Sequence, residues 1–356
     1  MEQYNEYLID LIIRCHNGDD NAIKEYEKLR WSDLENKITF DEVFIKKMYE
    51  LSEKDNSYAL NILGLIYSHD TYTKKDPNKA IELYEKAIEK GNILALCNLG
   101  YMYYTGKDIK RDLTKTKKLY EQAIEKGCSL ATCALAGMYL RGNGVTQDYN
   151  KTIELYIQAI EKGSVNAIHL LATMYYYGYG TDQNYIKSME LFEQAAEKGC
   201  DRSIANLALM YQHGKGVSIN YTKAIVLYKK FIENNGDNHD DNHNAMANLA
   251  SIYETCGGYE NYMEAIKIYL KLKKKDDIEN MIIRIINKNG TTNISDLIKL
   301  IYDPQINELY NGNIPQIIRT IRKMTQYYQH EISKTILSCK KIPPEIINKE
   351  IIPKID

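Results

Sequence analysis

A step of 36 residues runs through this sequence, and it predicts an array of stacked units instead of one closed core. Tyr67, Tyr103, Tyr139, Tyr175 and Tyr211 keep that step, and so do Leu63, Leu99, Leu135, Leu171 and Leu207. Directly after each Leu stands a small residue: Gly64, Gly100, Ala136, Ala172 or Ala208. A second block follows in every unit. Tyr84, Tyr120, Tyr156, Phe192 and Tyr228 form one aromatic column, Ala87, Ala123, Ala159 and Ala195 form another, and Gly91, Gly127, Gly163 and Gly199 close the unit. Tyrosine supplies 31 of the 356 residues and phenylalanine only 4, an imbalance that the columns largely explain. Repeats of this length bury their apolar faces only against their neighbours, so the fold they build is quasi-one-dimensional.

Each unit reads as two helices. The first is short, as in Ala95-Leu96-Cys97-Asn98-Leu99-Gly100-Tyr101-Met102-Tyr103, and a glycine loop follows at Gly106, Gly142, Gly178 or Gly214. The second is charged and amphipathic, as in Lys79 to Lys90, with Gly91 suited to a left-handed cap and Lys90 to the negative end of the helix dipole. The small residue lets the two helices of a unit approach closely. The Leu column and the two aromatic columns fill the space between neighbouring units.

A small residue, Leu-Gly, Tyr, Gly-x-Gly, then Ala, Tyr, Ala and a closing Gly together resemble the Sel1-like repeat family, a relative of the tetratricopeptide repeats. The likeness covers about Ala59 to Leu272 and is clearest from Leu94 to Lys230. It implies an all-α chain, a right-handed α-solenoid of helix-turn-helix repeats with helical N- and C-terminal flanks. The units then run 59–94, 95–130, 131–166, 167–202, 203–244 and 245–275, after an N-terminal cap over 1–58 and before a helical region over 276–356 with a loose, proline-containing tail. A degenerate helix is expected from Asp20 to Lys28. Asn234 to Asn244 is an acidic insertion expected to be a solvated loop between units.

Composition excludes several functions. Forty-six Lys and Arg balance 48 Asp and Glu, a net charge of -2 that draws in neither nucleic acid nor an anionic membrane. No apolar run is long enough to span a bilayer, and Met1 to Arg14 reads as an amphipathic helix and not as a secretory signal. Seven cysteines with no CxxC spacing argue against a disulfide framework and for a reducing, intracellular setting, the cytoplasm or, for a viral or non-classically secreted chain, a host's cytoplasm. Cys97 with Cys133, and Cys128 with Cys200, fall in shared columns, which repeat duplication explains. The abundance of Ile, Lys and Asn is that of an AT-rich genome.

The search for chemistry returns little. The pairs Gly142/Gly144, Gly178/Gly180 and Gly214/Gly216 follow no strand and lack the Lys-Ser/Thr of a phosphate loop. His239 and His243 stand four apart beside carboxylates, a spacing that could hold a metal on a helix, though a solvated loop is the plainer reading. No catalytic residue, cofactor or metal is expected, and the chain is read as non-enzymatic.

The resemblance instead implies a protein or peptide partner bound in the concave face made by the first helices, with the oligomeric state left open. The positions two before and two after each Leu, and one and two after each Tyr, are carried over from the peptide-contacting positions of tetratricopeptide repeats. They are Cys97, Tyr101, Tyr104 and Thr105, then Cys133, Gly137, Leu140 and Arg141, then His169, Thr173, Tyr176 and Tyr177, and last Ala205, Leu209, Gln212 and His213. The alternative for any one of these tyrosines is that it completes the packing between units. The family also implies assembly of larger complexes, among them protein-degradation and host–pathogen adaptors.

Overall fold

The structure, a computed structural model, describes residues 2–26, 41–69, 74–235, 240–274, 276–278 and 280. Every regular element among them is a helix. The expectations for His239, the C-terminal helices and the proline-containing tail fall outside the described residues.

The chain divides into two compact units, residues 1–200 and 201–356. The first holds α1 (Glu2–His16), α2 (Asp20–Tyr26) and α3 (Glu42–Ser52), followed by four hairpins. These are α4 (Ser57–Ser68) with α5 (Pro77–Glu89), α6 (Ile93–Thr105) with α7 (Leu113–Glu125), α8 (Ser129–Arg141) with α9 (Tyr149–Glu161), and α10 (Val165–Tyr177) with α11 (Tyr185–Glu197). The second contains α12 (Asp201–His213) with α13 (Tyr221–Asn235), and α14 (Asp240–Cys256) with α15 (Tyr259–Lys271). Part of the acidic insertion is therefore not a loop, because α14 begins at Asp240 and carries His243 on its exposed side.

Local chemistry repeats as faithfully as the core. Asp76, Asp112, Asp148 and Asn184 each cap a second helix by accepting the backbone N–H three residues on, at 2.8–3.0 Å. Asn56, Asn92 and Ser164 cap first helices in the same way. Cys128 stands at the equivalent position of α8, where no side-chain cap bond forms. Such caps contribute about 1 kcal/mol each.

The expected packing columns go inside. Leu63, Leu99, Leu135 and Leu171 are buried, as are Tyr84, Tyr120, Tyr156 and Phe192. Leu207 and Tyr228, with Tyr211, are buried in the second unit. Burial holds the hydroxyls of Tyr84 and Tyr120 well above the usual phenol range, and that of Tyr156 is pushed up to about 12. A methyl built on Gly64 or Gly100 would stand 2.6 Å from the ring of Tyr84 or Tyr120, so the glycine is what admits the ring.

The other tyrosine column is half-buried and faces a lysine of its own hairpin. Lys79 lies 4.2 Å above the Tyr67 ring, Lys115 4.3 Å above Tyr103 and Lys187 5.1 Å above Tyr175. In the second unit Lys223 covers Tyr211 at 5.0 Å. At the start of the array Lys79 donates to the hydroxyls of both Tyr67 and Tyr49, which also bond each other, and this ties α3 to the first hairpin. The ammonium favours the phenolate of Tyr67 and is itself held well above the usual lysine range, chiefly by those two hydroxyls.

Candidate partner-binding surface

The first helices of adjacent hairpins leave a cleft of about 500 Å³ between α4 and α6. Leu65 and Ser68 line one side, Tyr101, Met102 and Thr105 the other, and Leu130 stands at the edge. Its lining is mostly apolar, and the amides of Asn61 and Asn98 within it are hydrogen-bonded. Asn98 Nδ2 donates to Asn61 Oδ1 at 2.9 Å, and Asn61 Nδ2 to the Tyr26 hydroxyl at 3.1 Å. Lys75 and Asp108, from the loops of successive hairpins, close the rim with a 2.6 Å ion pair.

The sequence-selected positions divide clearly. Tyr101 is 62 % exposed and Tyr177 is 56 % exposed, and Thr105 and Arg141 are also at the surface. Tyr104 is half-buried: its hydroxyl accepts from Asn143 Nδ2 at 2.8 Å, and Arg111 caps its carbonyl at 2.9 Å. Arg141 folds back to donate to the Gly137 carbonyl at 3.2 Å. Thr173 donates to the His169 carbonyl, and Gln183 caps the Tyr176 carbonyl as Gln147 caps that of Leu140. Cys97 and His169 are only 5 % and 7 % exposed and lie beneath this surface, as does Cys133, so a partner would not reach their side chains. His169 stacks at a tilt on Phe192, 5.4 Å between ring centres. Leu209, Gln212 and His213 belong to the second unit, where Gln212 accepts from the Tyr228 hydroxyl at 2.8 Å and His213 is exposed.

Two features of this surface escaped the sequence reading. Tyr149 and Tyr179 stack nearly parallel at 5.7 Å, and Tyr179 stacks on Tyr177 at 5.5 Å, with Tyr176 edge-on to Tyr177. Tyr179 sits between Gly178 and Gly180, a pair weighed in the sequence only as a phosphate loop. The second is a sulfur contact: Cys97 Sγ lies 3.4 Å from Cys128 Sγ, so geometry pairs cysteines from different columns. The clue available was the spacing of 31 residues, which recurs between Cys133 and Ser164 with Sγ and Oγ 3.5 Å apart.

Among the described residues no three His, Cys, Asp or Glu side chains converge to hold a metal, and no helix is long and apolar enough to cross a membrane.

Stacked helical hairpins with exposed first-helix side chains define the class: an α-solenoid of the tetratricopeptide type. Five matches to the Sel1 repeat model, at residues 57–92, 93–128, 129–164, 165–200 and 202–236, cover half of the chain. The chain belongs to the Sel1 repeat family, whose members are in general scaffolds for protein–protein interaction. Among solved structures it is similar to a Sel1 repeat protein from Oxalobacter formigenes, with 25 % identity, a TM-score of 0.54, and coverage of 65 % of this chain and 92 % of that one. It is also similar in fold to c5321, a protective antigen of uropathogenic Escherichia coli with an SLR fold. That match has 24 % identity, a TM-score of 0.52, and covers 76 % of this chain and 63 % of the antigen. Comparison with curated proteins found no match.

Proposed function

We propose that this chain is a non-catalytic scaffold that holds a segment of a partner protein along the first-helix face of its first unit. The observation that supports the reading most is the exposure of Tyr101 and Tyr177 in a chain whose other first-helix tyrosines are drawn inward. Tyr and Arg are the residues that dominate protein-binding hot spots, and each buried on binding is worth about 2 kcal/mol. Tyr101 lines a mostly apolar cleft in which Asn98 already bonds Asn61, and Asn61 the Tyr26 hydroxyl, a lining that suits an incoming apolar side chain. Arg141 is exposed and suits an acidic group on the partner. An adaptor of a protein-degradation or host–pathogen complex is this same architecture with a particular partner, and the identity of the bound protein decides between them.

The test is affinity capture from the native cell, with Tyr101→Ala/Arg141→Ala/Tyr177→Ala as the control and circular dichroism to verify the fold. Loss of three anchors should weaken capture of the specific partner more than about a hundredfold. Equal recovery by the folded triple variant removes the surface assignment.

A further inference from the structure

We propose that Cys97 and Cys128 form a two-thiol site that closes to a disulfide on exposure to peroxide. The two sulfurs lie 3.4 Å apart, in contact, and a bond requires them to approach by about 1.4 Å more. Cys97 is held in the middle of α6, and Cys128 at the residue that opens α8, so the pair joins the first helices of consecutive hairpins. The same two positions elsewhere in the first unit are Asn61 with Asn92, Cys133 with Ser164, and His169 with Cys200. Two sulfurs therefore meet at this register only once among the hairpins of that unit.

Their environments assign the roles. Cys128 is partly exposed at the positive end of a thirteen-residue helix, a setting that favours thiolate over thiol. Cys97 is buried directly behind it. The Cys128 thiolate attacks one peroxide oxygen, the S–O bond forms as the O–O bond breaks, and the departing hydroxide takes a proton to leave as water. The Cys97 sulfur then attacks the Cys128 sulfur, the S–S bond forms as the S–O bond breaks, and hydroxide leaves with the Cys97 proton as a second water. Two thiols and one peroxide thus give one disulfide and two waters. The site stands independently of the partner-binding reading, since neither sulfur needs a protein ligand.

The test treats the reduced full-length chain with hydrogen peroxide, alkylates the remaining thiols and maps the digest without reduction. The expected result is a peptide joining Cys97 to Cys128, with a rise in Tm of about 5–10 °C that dithiothreitol reverses. Cys128→Ser should abolish both, and it reproduces the serine that caps α10 at Ser164, so helical content should be kept. In Cys97→Ala, which places the alanine found at Ala205 in that column, Cys128 should instead gain oxygen and form no bridge. Recovery of Cys97 in alkylated form after Cys128 has oxidised, or a bridge from Cys128 to Cys133 or Cys256, overturns the assignment.

Discussion

The second and fourth hairpins of the first unit are built to one plan and filled differently. In α6 and α7 the interior holds Gly100, Thr116 and Tyr120; in α10 and α11 the residues 72 positions on are Ala172, Ser188 and Phe192. All six are buried. One methyl gained at Ala172 is matched by one lost at Ser188, and the phenolic oxygen is dropped. One further column differs: Cys97 in one hairpin and His169, tilted on Phe192, in the other, both covered. The lesson is that the columns specify a volume and a depth, and individual residues trade atoms within it. The third hairpin marks the margin, since Ala136 and Tyr156 coexist there.

The largest effect should come from emptying the aromatic position. Tyr120→Ala and Phe192→Ala each remove a buried ring and should cost about 3–5 kcal/mol in urea or thermal unfolding. If the two hairpins are equivalent frames, the costs agree within about 1 kcal/mol. A near-zero cost at either would show that hairpin collapsing around the gap and would break the equivalence.

Alkali separates tyrosine from phenylalanine. Burial raises the Tyr156 hydroxyl from about 10 in the unfolded chain to about 12 in the fold. Below pH ~10 its contribution is fully present, and it is lost as pH rises toward about 12, because only the unfolded state releases the proton readily. Between pH 9 and 11.5 the wild type should therefore lose about 2 kcal/mol more stability than Tyr156→Phe, which has the ring type that the fourth hairpin uses. Parallel curves for the two proteins would mean that Tyr156 is open to solvent.

Much of this fold was legible because repetition supplies its own control. A residue that recurs every 36 positions at Leu63, Leu99, Leu135 and Leu171 is structural whatever its neighbours do. The surface was less legible for the same reason. Cys97 and His169 occupy a column carried over as partner-contacting, but a side chain one helical face away is covered by the adjacent hairpin, a relation between units that spacing within a unit does not contain. The Cys97–Cys128 contact is of that kind too: it joins the middle of one first helix to the opening of the next. Tyr179 falls in a loop that carries no packing column of its own unit, and its ring lies on Tyr149 of the preceding hairpin.

Exchange at the small column should have a middling effect and an informative sign. In Gly100→Ala the added carbon would sit 2.6 Å from Cε1 of Tyr120, a ring enclosed on all sides. Overpacking costs about 1–3 kcal/mol, against about 1 kcal/mol gained in helix propensity, so a net loss of about 1 kcal/mol is expected. The double change Gly100→Ala/Tyr120→Phe does not relieve that clash, because the clashing atoms are ring carbons and not the hydroxyl. Rescue by Phe would show that the oxygen, not the ring edge, sets the depth.

The smallest effect is expected at the polar position, and it differs in sign between the two hairpins. Thr116 Oγ1 donates within α7 to the Asp112 carbonyl at 2.8 Å and lies 3.2 Å from the Gly100 carbonyl of α6. Thr116→Ala removes that bond and a methyl and should cost about 1 kcal/mol. Ser188 Oγ is buried and has no hydrogen-bond partner among the described residues. A buried hydroxyl without a partner opposes folding, so Ser188→Ala should be neutral or stabilise by up to about 1 kcal/mol. The first and fifth hairpins already carry alanine there, at Ala80 and Ala224. Unfolding midpoints of the two single variants read the difference directly. A cost at Ser188 equal to that at Thr116 would mean the serine hydroxyl is bonded in solution, and the fourth hairpin would then be a copy of the second in its polar interior as well as in its apolar one.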